Sequence, residues 1–268
     1  MDFIKAFNKK IEEKNINWEV CGLISQSGDV YSLGSDSKLI GRIFELISTN
    51  ILQEIADENG YRLELSEKQT VYPDFTMVEK NGIGGKIAID IKTTYRDYNS
   101  DGSLKKLGFT LGSYASFIRN GTKNIKYPYK EYDKHYVIGF IYSRNEEASE
   151  GELYKCEDID IINVPYNNVE VFVQEIYKIA GEKPGSGNTE NIGSFRTKNM
   201  DFFIRGEGPF SALGNIIYEH YWKNYPKYRE SKKEYTNIEE YIAWRKSLGE
   251  DVDEIEKRYI NWKFNHRE

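Results

Sequence analysis

The segment Lys86 to Thr93 places the tightest limit on what this chain can fold into. Ile87, Ile89 and Ile91 alternate with Ala88, Asp90 and Lys92 at the two-residue period of a β-strand. An aliphatic face of this kind is buried, so the other face carries a carboxylate and an ammonium side by side. Just upstream, Asn81-Gly82-Ile83-Gly84-Gly85 holds three glycines in five residues, a composition suited to a hairpin loop. Phe75 to Glu79, before that loop, reads as the partner strand. If the loop closes a hairpin, residue numbers that pair across it sum to about 164, which sets Asp74 opposite Asp90 to within a residue or two.

Two carboxylates converging in this way repel unless a cation is bound between them. Oxygen donors suit Mg²⁺, which keeps several waters and takes one or two carboxylates together with substrate phosphate. Such an ion lowers the pKa of a water molecule by several units and so supplies the nucleophile for phosphodiester hydrolysis. Lys92 would offset charge on the pentavalent transition state or position the attacking water. A surface Asp–Lys ion pair on a strand, with Asp74 in a turn after Pro73, is the plainer alternative for the same residues.

The rest of the chain reads as α+β with one mixed sheet flanked by helices. Asp36 or Ser37 caps a helix carrying Leu39, Ile40, Ile43, Phe44, Ile47, Ile51, Leu52 and Ile55 at helical spacing, and Gly60 is placed to end it. Glu45 lies on that helix between the core positions Phe44 and Ile47, and by itself reads as part of the solvated face. Short strands are expected from Val20 to Leu33 around a Ser27-Gly28 turn. A helix is expected from Leu111 to Asn120, a strand from Tyr136 to Tyr142, and strand-like alternation from Val169 to Ala180. The tail from Ile238 is helical and heavily charged. Residues 1–249 are expected to form the main domain, with 250–268 as a charged helical extension.

No run of 18 apolar residues and no secretory signal occurs, and Cys21 and Cys156 offer neither a zinc spacing nor a disulfide framework. A cytoplasmic location without membrane association is therefore expected. A formal net charge of −6 disfavours nucleic acid at first sight, because nonspecific DNA affinity comes from cations that release counterions. The charges are segregated, however. Lys92 to Arg144 holds ten Lys and Arg against four acids, whereas Asn145 to Glu170 holds eight acids against Lys155 alone. A basic stretch is more often solvated surface than a DNA-facing one, so this signal is weak alone.

Tyr72-Pro73-Asp74-Phe75-Thr76 and Lys86-Ile87-Ala88-Ile89-Asp90-Ile91-Lys92-Thr93-Thr94-Tyr95 resemble the active-site segments of the EcoRV-type restriction endonucleases, which belong to the PD-(D/E)xK nucleases. Further similarity runs in order through Ile43-Phe44-Glu45-Leu46, Ser116-Phe117-Ile118-Arg119-Asn120, Thr122-Lys123-Asn124-Ile125 and Gly185-Ser186-Gly187-Asn188-Thr189. The resemblance covers roughly residues 17 to 245. It implies a restriction-endonuclease-like fold and a type II enzyme, a homodimer that hydrolyses both strands of duplex DNA with Mg²⁺. It makes Asp74, Asp90 and Lys92 catalytic, with Glu45 as an auxiliary acid and Asp74, Asp90 and Glu45 as metal ligands. The resemblance gives Gly185, Ser186, Gly187, Asn188 and Thr189 the major groove. Gln69 and Thr70 take the minor groove, and Thr93, Thr94, Tyr95, Ser116 and Lys123 are further DNA contacts. Glycines let backbone approach base edges, and an Asn side chain can bond both N6 and N7 of adenine. A bent central TA step adds readout through deformability, so the expected site is GATATC, cut to blunt ends with 5′-phosphates. A cognate DNA methyltransferase in the same cell is the implied functional partner.

The chain departs from the family at Thr70, where an Asn is usual, at Glu190, which replaces a threonine, and at Ala115 and Gly121, where backbone contacts are made. These changes bear on phosphate affinity more than on base identity. Two other classes share parts of the pattern: a sequence-specific DNA-binding protein without cleavage, and a repair nuclease or junction resolvase with the same catalytic signature.

Overall fold

The computed structural model describes residues 1–186, 190–227, 230 and 232–266. In chain order its elements begin with helix α1 (Phe3–Lys14), strands β1 (Gly22–Ile24) and β2 (Asp29–Ser32), and helix α2 (Ser37–Glu58). Strands β3 (Tyr61–Leu65), β4 (Phe75–Glu79), β5 (Lys86–Tyr95) and β6 (Thr110–Gly112) lead to helix α3 (Tyr114–Asn120). Strands β7 (Tyr132–Arg144), β8 (Leu153–Lys155) and β9 (Tyr166–Glu175) come next, then the one-turn helix α4 (Ile176–Ile179). Strands β10 (Ala180–Pro184) and β11 (Ile192–Ser194) precede helices α5 (Asp201–Arg205), α6 (Pro209–Leu213), α7 (Asn215–Asn224), α8 (Ile238–Ser247) and α9 (Asp253–Asn265). The fold is mixed α+β, and its largest sheet has the strand order β3-β4-β5-β7-β9. Among the described residues no helix is long and apolar enough to cross a membrane.

The chain divides into two compact units, the first of residues 1–63, 91–107 and 138–173, the second of residues 64–90, 108–137 and 174–268. In the first unit α2 starts where Asp36 accepts hydrogen bonds from the Lys38 and Leu39 amides, both at 3.0 Å. It ends before Gly60, whose φ of +77° suits glycine. The apolar stripe of α2 buries Phe44 parallel to Phe140 of β7, with ring centroids 4.2 Å apart, and Trp18 meets Phe140 edge-on at 4.9 Å. Such ring pairs each add about 0.5–1.5 kcal/mol beyond their buried area. Gly139, beside Phe140, is obligatory, because a Cβ there would lie 2.2 Å from Phe172 Cε1. Helix α1 packs on α2 with Lys10 buried, its ammonium 2.5 Å from Glu58. The short strands around Gly28 form as expected, β1 pairing with β2 and β2 with β8 in a three-stranded antiparallel sheet.

In the second unit the stretch from Leu111 to Asn120 is not one helix. Its first residues belong to β6, which pairs with β11 through Ile192↔Gly112, and helix begins only at Tyr114. A partner strand some eighty residues away decides this, and local periodicity carries no sign of it. Likewise β9 stops at Glu175, where the turn of α4 takes over before β10. The aromatic core of this unit gathers Tyr221, Trp222, Tyr225, Tyr235 and Tyr241. Buried phenols there bond backbone: Tyr235 donates to the Tyr221 carbonyl and Tyr221 to the Glu182 carbonyl, each at 2.7 Å.

Candidate active site

Strands β4 and β5 pair antiparallel in the register Phe75↔Ile89, Thr76↔Ala88, Met77↔Ile87 and Val78↔Lys86. The alignment is the one that the glycine loop suggested. Extended by one residue it sets Asp74, immediately before β4, across from Asp90 on β5. Asp90 is 5% exposed in a strand whose Ile87, Ile89 and Ile91 are all buried, and Lys92 follows it on the same pleat face, half-buried. The Lys92 ammonium lies 3.3 Å from the Ile91 carbonyl.

The approach to Asp74 is held by backbone. Tyr72 forms a parallel bridge with Ile125, its amide donating to the Asn124 carbonyl at 3.0 Å while its own carbonyl accepts from Lys126 at 2.8 Å. The Ser66 amide donates to the Asp74 carbonyl at 3.1 Å. These bonds pin the exposed Lys123 loop beside the residues that lead into Asp74. The Tyr72 hydroxyl pairs with His135 Nδ1 at 2.7 Å, and Tyr114 and Phe117 of α3 pack on the Tyr72 ring. Burial raises the Tyr72 and Tyr114 phenols well above the usual tyrosine range, reinforced at Tyr72 by the negative charge of Asp90 and at Tyr114 by Tyr72 and then Asp90, so both stay neutral. Burial pushes His135 down to about 3, and its imidazole is uncharged at neutral pH. Tyr72 and His135 stand 63 residues apart, so no local pattern announces their support of the Asp74 segment.

Glu45, Thr93, Thr94 and Tyr95 belong to the first unit. Glu45 is half-buried on α2 and receives Arg42 at 2.5 Å. One turn earlier, a Cβ at Gly41 would lie 3.8 Å from Thr93 Cγ2, so the stripe of α2 that carries Glu45 passes the end of β5. Tyr95, at the end of β5, lies under the guanidinium of Arg144, 3.6 Å from its ring centroid.

Among the described residues no three His, Cys, Asp or Glu side chains gather into a metal-binding group. The assignment of Glu45 as a ligand beside Asp74 and Asp90 rests on the family resemblance alone. What remains is a pair of carboxylates in facing register, one of them buried. That donor set fits a hard divalent ion that keeps most of its waters and takes substrate oxygens, and does not fit a closed protein cage.

Other residues expected at DNA lie on several different elements of the fold. Gln69 and Thr70 form an exposed turn closed by Val71 N to Lys68 O at 3.0 Å. Ser116 is half-buried on α3, where it accepts from the Asn120 amide. Gly185 and Ser186 lie at the base of a stem: Gly185 N donates to Asn191 O at 2.8 Å, Gly185 O accepts from Thr110, and Ser186 Oγ accepts from Asn191. Gly187, Asn188 and Thr189 lie outside the described residues. Glu190, which stands where the family has a threonine, is paired with Arg119 at 3.1 Å.

Part of the basic stretch is held in ion pairs. Arg96 pairs with Glu170, Lys105 with Asp97, Lys126 with Glu64, and Lys134 with Glu175. Several of these acids lie far off in sequence, so much of the local excess of positive charge is neutralised within the fold. Lys123 and Lys130 are exposed and make no ion pair among the described residues.

The model of the family described as Restriction endonuclease EcoRV matches residues 14–246. The chain is 42% identical over 234 residues to the type II restriction enzyme EcoRV of Escherichia coli, covering 87% of this chain and 93% of that protein. Among solved structures it aligns with the NlaIV restriction endonuclease at 12% identity and a TM-score of 0.38, covering 98% of this chain and 88% of the other.

Proposed function

This chain belongs to the EcoRV restriction endonuclease family, and from that membership we propose that it is a Mg²⁺-dependent homodimer cutting GATATC at its centre. It is a nuclease that acts on DNA. The proposed products are blunt ends with 5′-phosphates, and a companion methyltransferase protects the same site in the cytoplasm of the host. The observation that carries the reading is the β4–β5 register, which sets Asp74 across from Asp90, with Lys92 two residues further along the same face.

Asp74 and Asp90 would hold the divalent ion, which when bound contributes positive charge where negative charge builds on the transferring phosphate. The protein's own residues do the rest. Neutral Tyr72 and Tyr114 keep Asp90 in a dry, low-dielectric setting where its charge acts strongly. Lys92 offers a proton-bearing cation beside the scissile phosphate, and Lys123, on the loop pinned to Tyr72, takes a neighbouring phosphate. Glu45 serves as an auxiliary acid from the face of α2 that passes Thr93. Asn188, between the stem residues Ser186 and Glu190, reads adenine, with Gln69 and Thr70 in the minor groove.

A palindrome demands two-fold symmetry and one active site per strand. The sheet β1-β2-β8 supports a dimer, because Leu23, Tyr31 and Leu153 stand in one row across it and are 55%, 48% and 59% exposed. The deciding experiment is digestion of unmethylated phage DNA with Mg²⁺, followed by mapping of the ends. Discrete fragments with blunt termini inside GATATC are expected. A smear would mark a repair-type nuclease, and tight site-specific binding without cleavage would mark a DNA-binding protein.

A further inference from the structure

Helix α9 lies beyond the span that matches the family, which ends at residue 246, so its role has to be read from what it touches. It packs on α6 and is anchored by buried Val252 and Tyr259. Two of its side chains reach backbone and carboxyl groups that flank β10. Trp262 Nε1 donates to the Glu207 carbonyl at 2.7 Å, and the next residue, Gly208, donates its amide to the Lys178 carbonyl at 2.7 Å, two residues before β10 begins. The fit at Gly208 is close, since a Cβ there would stand 2.6 Å from Lys178 O.

Tyr259 Oη approaches Glu182 Oε2, in the middle of β10, at 3.3 Å. The same carboxyl oxygen accepts the Ile238 amide at the start of α8, at 3.0 Å, and the Glu182 carbonyl accepts from Tyr221 at 2.7 Å. Trp262 is stacked between Tyr259 and His266, at 6.0 and 5.0 Å, and Lys263 pairs with Glu239 of α8 at 2.6 Å. Helices α8 and α9 therefore converge on one strand, and that strand delivers the chain into residues 185–191.

We propose that α9 is a strut for sequence reading, with Trp262 and Tyr259 as positioning residues that hold β10 and so aim the segment that follows it. The proposal rests on residues 185–189 being the base-reading segment. Beyond Pro184 that segment is tied to its return strand by the Pro184↔Ile192 pair and the Gly185–Asn191 hydrogen bond. A small tilt of β10 is thus passed to Gly185 and its return strand. A contact that must match donors and acceptors on a base edge tolerates about half an ångström of error, so a rigid base matters more for discrimination than for general affinity. Nonspecific binding depends on phosphate charge and is indifferent to such a tilt.

The test uses the full chain with Trp262→Phe, which keeps an aromatic ring but removes the N–H and part of the indole, and Tyr259→Phe, which deletes one oxygen. Asn188→Ala is assayed alongside. Cleavage kcat/KM is measured on a GATATC duplex and on duplexes with one base pair changed, together with nonspecific DNA affinity. Loss of one part-buried hydrogen bond should lower the cognate-to-mismatch ratio about three- to tenfold in each Phe variant. The loss should come from slower cognate cleavage, with mismatch rates and nonspecific affinity unchanged. Glu182→Gln combined with Tyr259→Phe should be non-additive in that ratio. If both Phe variants keep full discrimination while Asn188→Ala loses it, or if cognate and mismatch rates fall equally, the strut is refuted and the reading segment stands. If Asn188→Ala itself keeps full discrimination, the reading segment is misassigned and the strut falls with it.

Discussion

Arg119 offers a prediction whose size can be worked from its contacts. Its guanidinium donates to the Lys223 carbonyl at 3.0 Å, to the Trp222 carbonyl at 3.3 Å and to the Tyr225 carbonyl, and it pairs with Glu190 at 3.1 Å. Those carbonyls belong to the end of α7, which lacks intrahelical donors for its last turn, so Arg119 acts as its cap. The arginine side chain is only 11% exposed. Counting about 1 kcal/mol for each of the three carbonyl bonds, and less than about 1 kcal/mol for a pair whose acid is part-exposed, Arg119→Met should cost about 3–4 kcal/mol. For a chain of this size that lowers Tm by about 6–16 °C. Glu190→Gln removes the Arg119 ion pair but leaves the three carbonyl bonds of Arg119, and should lower Tm by less than about 4 °C. Thermal unfolding followed by circular dichroism measures both. Arg119→Met should also leave the salt dependence of DNA affinity unchanged, because its charge is committed inside the fold. Equal Tm losses in the two variants, or a flatter salt dependence for Arg119→Met, would refute its role as a helix brace.

Three further outcomes follow from the same contacts. His135 is held near a pKa of about 3 by burial, so below about pH 6.5 the unfolded imidazole gains a proton that the folded one does not, and stability falls as pH falls. That effect amounts to about 2 kcal/mol between pH 6.5 and pH 5, and His135→Asn should show a correspondingly flatter Tm over that interval; parallel curves would contradict it. Lys123→Glu should weaken binding to all duplexes about equally and reduce the slope of log affinity against log salt, and an unchanged slope would remove Lys123 from the DNA-facing surface. Leu153→Glu, in the exposed row with Leu23 and Tyr31, should shift the protein to monomer in sedimentation, whereas an unchanged dimer would place the interface elsewhere.

Local pattern made much of this molecule legible. Asp36 and the apolar stripe up to Ile55 define α2 because cap and periodicity lie within one segment. The glycine loop fixed the β4–β5 register because hairpin pairing is set by the turn between the strands. What escaped was decided at a distance. Strand β6 exists because β11 pairs with it, and α1 buries Lys10 because Glu58 on α2 accepts its charge. The basic stretch shows its local excess of charge in the sequence, but not that Glu64, Glu170, Glu175 and Glu190 come from elsewhere in the chain to pair with Lys126, Arg96, Lys134 and Arg119. Glu45 differs again: spacing made it a solvated face, and only family resemblance singled it out. The structure adds its pairing with Arg42 and its stripe beside Thr93.

The central claim is that Asp74, Asp90 and Lys92 form one phosphodiester-cleaving site. Its most direct measurement is the single-turnover cleavage rate of a GATATC duplex in Mg²⁺ for the wild type, Asp90→Ala and Lys92→Ala, with specific binding measured in Ca²⁺. Cleavage should fall by several orders of magnitude in both variants, since charge placed at the reacting phosphate supplies much of the barrier reduction, while specific binding in Ca²⁺ stays largely intact. Cleavage by Asp90→Ala at the wild-type rate would contradict the assignment of this site.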